Sequence, residues 1–382
     1  DWQDLSELVK DKKRPFYLYN SQSIISRVQT LSKNLSGLDF KIHYAVKANG
    51  NAELLKIFKG QGCGVDVVSR GEAVWALENG FAAEDIIFSG VAKSKDDLQF
   101  AVENNLRQIN VESLPELARV GDVAQRLAKK AAIAIRINPN IKVDTHPYIT
   151  TGFRENKFGI AEYQLREAQE IVKRFSPWME LRGLSSHIGS QIRETPPLLD
   201  AIQALLRSSR ALEQNGFKIS TIDIGGGIGI NYHSGDESAE LEMMDSFCTS
   251  AKELLKNFKG RVMLCDGRAL VARSGILCTQ IEYVKYNGYK NFAIVNSGMN
   301  HLLRPALYEA YHRILPVKIR QGTEEIYDVV GPICESSDVL GHGRPLRTPQ
   351  EGDWLAIMDT GAYGMSMASF YNRHDFPDEI VL

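Results

Sequence analysis

Between about residue 40 and residue 267 the chain repeats one pattern eight times: a short apolar, β-branched run, then a longer stretch with helical spacing. A parallel strand covered on both faces reads as a continuous apolar run, and the crossover to the next parallel strand is usually a helix. The alternation therefore specifies βα units around a parallel sheet. The runs are FKIHYAV (40–46), GVDVVS (64–69), DIIFSG (85–90), QINVES (108–113), AAIAIRIN (131–138), LRGLSSHIGS (181–190), TIDIGGG (221–227) and RVMLCDG (261–267). In EYQLREAQEIVKRF, Leu165, Ala168, Ile171 and Val172 fall on one helical face. Eight such units match a (β/α)8 TIM barrel, a fold of about 250 residues whose active site lies at the C-terminal ends of its strands.

That rule selects residues. Lys47, Asp66, Ser69, Glu112, Arg136, His187, Ser190, Gly225, Gly226, Gly227 and Arg268 all fall at the ends of these runs. After residue 275 the pattern changes to strand-like runs without long helical stretches: ILCTQIEYVKY, KNFAIVNS, PVKIRQ, EIYDVVG and DWLAIMDTG. These read as a mainly antiparallel β domain, a sandwich or Greek-key barrel. PFYLYN, before the barrel, is a strand that can pair with that domain. The expected division is residues 1–24 with the β domain, 25–275 as the barrel and 276–382 as the C-terminal β domain.

Composition narrows the function. A net charge of −2 leaves no electrostatic footprint for nucleic acid or an anionic membrane, so the expected partner is a small molecule. Five cysteines without a CxxC pair argue against a disulfide framework and a zinc site, and a reducing cytoplasm is expected. No apolar run approaches the roughly 18 residues of a membrane span. The opening DWQDLSELVKDKK is too charged for a signal peptide, and a start at Asp1 leaves room for a trimmed or fused chain.

Lys47 follows an apolar strand, where desolvation favours the neutral amine that forms a Schiff base with an aldehyde. A lone strand-end lysine more often reaches solvent. GGGIG at 225–229 offers successive N–H groups to an anion, although a glycine run also reads as an ordinary turn. The two together, in an eight-unit barrel, point to a phosphorylated aldehyde, pyridoxal 5'-phosphate (PLP). His187 in SSHIGS could stack on a flat ring, though an isolated histidine is commonly structural.

HYAVKAN, GVDVVSRGE, SSHIGSQ, DIGGGIGINY, GRALVARSG, GPICESSD and MDTGAYGMSMASFYN resemble, in order and spacing, the motifs of fold-type III PLP-dependent decarboxylases. The resemblance runs from about residue 15 to residue 382. Within that group THPYITTGFRENKFGI and CESSD look like the diaminopimelate branch rather than the ornithine branch. The resemblance implies that Lys47 holds PLP as a Schiff base and His187 stacks on its ring. Ser190, Gly225, Gly226, Gly227 and Tyr363 would hold the phosphate, with Asp66 and Arg136 in the same cofactor-binding set. Arg268, Arg304, Tyr308, Glu335 and Tyr363 would bind substrate, and Cys334 would lie near the reacting carbon, with Cys334 or Lys47 the candidate for the proton donor that quenches it. Cys334 and Glu335 would enter from the second subunit of a homodimer. By itself, a free cysteine is usually a small buried hydrophobe.

One position departs from the family. Where these enzymes usually carry a glutamate against the pyridine nitrogen, three residues before the strand-eight arginine, this chain has Cys265, and the segment reads LCDGR. Asp266 is adjacent, but neighbouring strand residues point to opposite faces, so it could substitute only if the chain turns there. The leading expectation is decarboxylation of meso-2,6-diaminopimelate to L-lysine and CO2, a step of lysine biosynthesis. The alternatives are a decarboxylase of another diamino acid, such as a D-amino acid or a siderophore precursor, and a catalytically weak regulatory homologue.

Overall fold

The computed structural model describes residues 5–142 and 156–382. Each of the eight apolar runs forms a strand. After β1 (Phe16–Tyr19) come β2 (Phe40–Ala45), β3 (Gly64–Val67), β4 (Ile86–Phe88), β5 (Gln108–Val111) and β6 (Ala131–Asn138). A two-residue β7 (Ile160–Ala161) pairs beside β6, and β8 (Met179–Ser185), β9 (Thr221–Asp223) and β10 (Arg261–Asp266) follow. All neighbours in the series β2-β3-β4-β5-β6-β8-β9-β10 run parallel, and β10 pairs back with β2, closing a TIM-like barrel. The helix Leu165–Arg174 buries Leu165, Ala168, Ile171 and Val172, the face expected from their spacing.

The second sheet is mainly antiparallel. It contains β11 (Gly275–Tyr286), β12 (Asn291–Val295), β13 (Ile314–Pro316), β14 (Glu324–Val330), β15 (Val339–Arg347), β16 (Trp354–Ile357) and β17 (Asp378–Val381). Its order is β13-β16-β11-β12-β14-β15, with β1 lying antiparallel to β11 and parallel to β17. PFYLYN thus joins the second sheet. Phe16 and Leu18 pack with Ile276, Cys278, Trp354 and Ala356, and burial of a Phe or Leu side chain stabilises a fold by roughly 1.5–3 kcal/mol.

Three details differ from the sequence reading. PVKIRQ leaves the ladder after Pro316, where Arg320 instead makes a bidentate ion pair with Asp353 at 2.7 Å on each arm. VLGHGRPLR forms the strand β15 although it carries the glycine and proline signals of a turn. The described residues divide into two compact units, one formed by 25–230 and 237–270, the other by the chain up to residue 24, 231–236 and 271–382. Residues 231–236 and 271–275, grouped with the barrel by sequence, fall in the second unit.

Candidate functional site at the barrel strand ends

Strand β2 ends in a single 3-10 turn, Val46–Ala48, which carries Lys47. Gly267, just past β10, packs on this turn, and a Cβ there would lie 2.7 Å from the Cβ of Ala48. The positive charge of Lys47 acts on groups from three other strand ends. It favours the ionised forms of Asp66 and Cys265 and disfavours protonation of His187.

Asp66 is buried on β3 and accepts a 2.5 Å hydrogen bond from Ser89 Oγ. Desolvation raises its pKa, with Lys47, Ser89 and Arg136 opposing. His187 is kept neutral, first by desolvation and then by the charges of Lys47 and Arg136. Arg136, at the end of β6, donates to Glu112 Oε1 at 2.6 Å and to the His187 carbonyl at 3.1 Å, and its guanidinium lies over the Phe158 ring. Glu112 in turn accepts from the Gly159 N–H at 3.0 Å. Arg136 therefore braces the segment that presents His187. Ser69 has a local role, capping the helix Arg70–Glu78 by accepting from the Glu72 N–H.

The glycine turn after β9 admits no side chain. A Cβ would fall 2.2 Å from Ser186 O at Gly225, 2.2 Å from Cys265 O at Gly226 and 2.1 Å from Gly189 O at Gly227; Gly225 and Gly227 also have positive φ. This close approach brings Gly227 beside the segment carrying Ser190, whose Oγ accepts from Arg268 Nη2 at 3.0 Å. A hydroxyl, a guanidinium and a tight glycine turn at strand ends form a cradle suited to a phosphate group.

Asp266 does not take over the missing glutamate's place. Its carboxylate turns to the glycine turn and the following helix, accepting from Ile228 N and Ala269 N at 3.0 Å each and from Gly227 N. Cys265 points into the barrel with Ile87 and Met263. Its thiol is raised well above its ordinary pKa by burial and by Asp223 and Asp66, and it donates to Asp223. Asp223 also accepts from Asn110 Nδ2 at 3.2 Å, and Asn110 Nδ2 reaches Ser89 Oγ at 3.1 Å. β5 and β9 are not neighbours in the barrel, so this chain of contacts crosses its interior from Asp66 to Cys265. The sequence reading missed Asn110 and Asp223, and TIDIGGG drew attention only to its glycines.

The remaining expected site residues belong to the second unit. Arg304 and Tyr308 open and close the helix Arg304–Tyr308. Cys334 and Glu335 are exposed on the turn between β14 and β15. The Cys334 N–H donates to Asn372 Oδ1 at 3.2 Å, and Glu335 accepts from the Tyr371 hydroxyl. Asp338 ties down this turn by accepting from Met299 N at 2.6 Å and Ile333 N at 2.7 Å. Tyr363 follows β16 with a φ of 57°. Of THPYITTGFRENKFGI, residues 145–155 lie outside the described residues. Among the described residues no cluster of three or more His, Cys, Asp or Glu could hold a metal ion, and no helix is long and apolar enough to cross a membrane.

Residues 21–272 match the family model for the pyridoxal-binding domain of pyridoxal-dependent decarboxylases. The chain belongs to the pyridoxal-dependent decarboxylases. It is 40% identical over 381 residues to the diaminopimelate decarboxylase of Aquifex aeolicus, a match covering 99% of this chain and 89% of the relative. With the diaminopimelate decarboxylase of Neisseria meningitidis serogroup B it shares 39% identity, over 96% of this chain and 87% of the relative. Its structure is similar to that of the Helicobacter pylori diaminopimelate decarboxylase complexed with L-lysine, with a TM-score of 0.93 and 38% identity over 99% of this chain and 93% of that one. The cofactor of this pyridoxal-dependent decarboxylase is PLP, and the barrel residues fit it: the cradle leaves no room for a Cβ, and a lysine amine and a neutral histidine stand past the C-terminal ends of β2 and β8.

Proposed function

We propose that this chain decarboxylates meso-2,6-diaminopimelate to L-lysine and CO2, the closing chemistry of a lysine-producing route. The observation that carries the reading is the 40% identity, over 99% of the chain, to a relative bearing that activity's name. The charges in the second unit suit the substrate's far end, which bears both an amine and a carboxylate: Arg304 is a buried cation, and Glu335 an anion oriented by Tyr371.

Bound PLP supplies an electron sink for the pair left behind when CO2 departs. In our assignment Lys47 Nζ carries the cofactor covalently, and Asp66 stabilises the charge of that nitrogen. His187 Nδ1 and Nε2, held uncharged, leave a flat ring to cover one face of the cofactor. Ser190, Gly225, Gly226, Gly227, Arg268 and Tyr363 hold the phosphate, with Arg268 and Tyr363 also reaching substrate. Tyr308 joins Arg304 at the distal carboxylate, and Cys334 Sγ or Lys47 Nζ returns the proton to the reacting carbon. Cys334 and Glu335 are contributed by a second copy in a homodimer. Five free cysteines support residence in a reducing cytoplasm.

The test is CO2 release from meso-diaminopimelate, lysine, ornithine and arginine in parallel. Turnover confined to diaminopimelate is expected. Efficient turnover of a substrate with no distal carboxylate would overturn the specificity assignment, and absence of CO2 from all four would favour a regulatory homologue.

A further inference from the structure

Two uncharged groups contact Arg304. Its side chain is buried, Nη1 lies 2.6 Å from His312 Nε2, and the guanidinium carbon sits 4.4 Å from the centre of the Tyr232 ring. The histidine's protonation follows from its other side. His312 Nδ1 lies 2.8 Å from the Met358 carbonyl, which can only accept, so Nδ1 carries the ring proton. Nε2 is then left with a lone pair, and it faces a donor that never gives up its proton. Both contacts are satisfied only by the neutral Nδ1–H tautomer.

Tyr232 completes the seat. Its ring meets His312 edge-on at 5.0 Å and belongs to residues 231–236, the short excursion that falls in the second unit. Arg273 clasps that excursion, donating to Ser234 O at 2.7 Å and Asn231 O at 3.0 Å, and is itself anchored on Asp359. Arg273 and Arg313 both pair with the Asp359 carboxylate, and Arg136 pairs with Glu112. A carboxylate in the position of His312 would orient Arg304 equally well but would cancel its charge. An imidazole lone pair and an aromatic face orient it without themselves neutralising its charge.

We propose that His312 is a positioning residue, a neutral acceptor that fixes the Arg304 guanidinium so that it can bind the carboxylate at the substrate's distal end. The inference rests on the proposed role of Arg304 and extends it to specificity. Rotating a guanidinium out of register breaks a bidentate carboxylate pair while leaving the reacting carbon untouched. The effect should therefore appear in binding of ligands that carry that carboxylate.

The experiment uses the PLP-loaded enzyme with Arg304→Met, His312→Asn, His312→Gln and Arg304→Met/His312→Asn. Asn keeps a donor near Nδ1 and loses the acceptor; Gln can place an oxygen near Nε2. For His312→Asn we expect KM for meso-diaminopimelate to rise about tenfold with kcat changed less than about threefold, and for His312→Gln we expect most of that loss to be recovered. Two probes separate positioning from general damage: L-lysine keeps the distal carboxylate and should bind His312→Asn more weakly, whereas 1,5-diaminopentane has none and should bind as before. In the Arg304→Met background His312→Asn should add nothing further. Equal losses in both His312 variants, equal weakening of both probes, or an undiminished effect without Arg304 would each overturn the proposal. If Arg304→Met itself leaves KM and L-lysine binding unchanged, the role of Arg304 falls and the proposal with it. Nitrogen-15 NMR of the histidines in the unmutated holoenzyme needs no variant: the Nδ1–H form of His312 is expected, and an Nε2–H form would refute the geometry.

Discussion

Asp223 combines burial with a neighbouring carboxylate. Desolvation and then the charge of Asp66 push its pKa up to about 6, against the opposing hydrogen bonds from Gly225, Cys265 and Asn110. A carboxyl whose folded pKa exceeds its unfolded one binds its proton more tightly in the folded chain. Its contribution therefore favours folding at low pH and is lost as pH rises from about 4 through about 6. The shift corresponds to roughly 3 kcal/mol. Asp223→Asn cannot ionise, so in PLP-free protein the stability of the unmutated chain relative to this variant should fall by about that amount between pH 4 and pH 7. Urea unfolding at a series of pH values measures the difference, and a pH-independent one would show that folding does not raise the pKa of Asp223. Nothing in TIDIGGG announces this behaviour. It depends on Asn110 and Asp66 reaching Asp223 across a closed barrel, contacts made between residues 113 apart in the chain in the case of Asn110. The strand-end positions of Lys47 and His187 were legible because a strand end is a local feature.

At the scale of elements, the glycine turn is held from beneath by a residue on the next strand. Asp266 accepts the N–H groups of Gly227, Ile228 and Ala269, so one carboxylate joins the turn after β9 to the helix that begins with Arg268. Asp266→Ala leaves these donors without their acceptor, at a cost of about 1–3 kcal/mol for each that stays buried. We expect PLP affinity to drop at least about tenfold, since one tenfold step needs only about 1.4 kcal/mol of lost order in the cradle. Borohydride reduction should still label Lys47 at saturating PLP. Equilibrium dialysis would settle the point, and unchanged affinity would mean the turn holds its shape without Asp266. All eight barrel strands were legible because burial on both faces leaves a continuous apolar run. β15 was not, because Gly341, Gly343 and Pro345 write a turn signal into a strand that shifts register against β14. Strand alternation correctly sets Cys265 and Asp266 on different faces, yet it carries no information about what the outer face of β10 meets.

For the whole molecule, the N-terminal strand was legible as a partner of the C-terminal domain, since four successive apolar or aromatic residues before a barrel need a sheet to cover them. The assembly is a separate matter. Cys334 and Glu335 stand exposed on their turn, although the proton delivery proposed for Cys334 would work best where water is excluded. Tyr283, Tyr286 and Ile326 are exposed on β11 and β14, with Tyr289 in the loop that follows β11, the aromatic-rich surface typical of protein interfaces. A second copy of the chain covering this turn would exclude water there, and two-fold symmetry would then build two equivalent sites, each from both chains. Lys47→Ala homodimers should be inactive and Cys334→Ala homodimers strongly impaired. When the two are refolded together, about half the dimers are hybrids, and each hybrid has one site with both native residues and one with neither, so about a quarter of the native activity should return. A site built within a single chain gives no recovery, because every chain in the mixture lacks one of the two residues. Differently sized tags on the two variants establish by native mass spectrometry that hybrids have formed, and hybrids without CO2 release would reject the shared site.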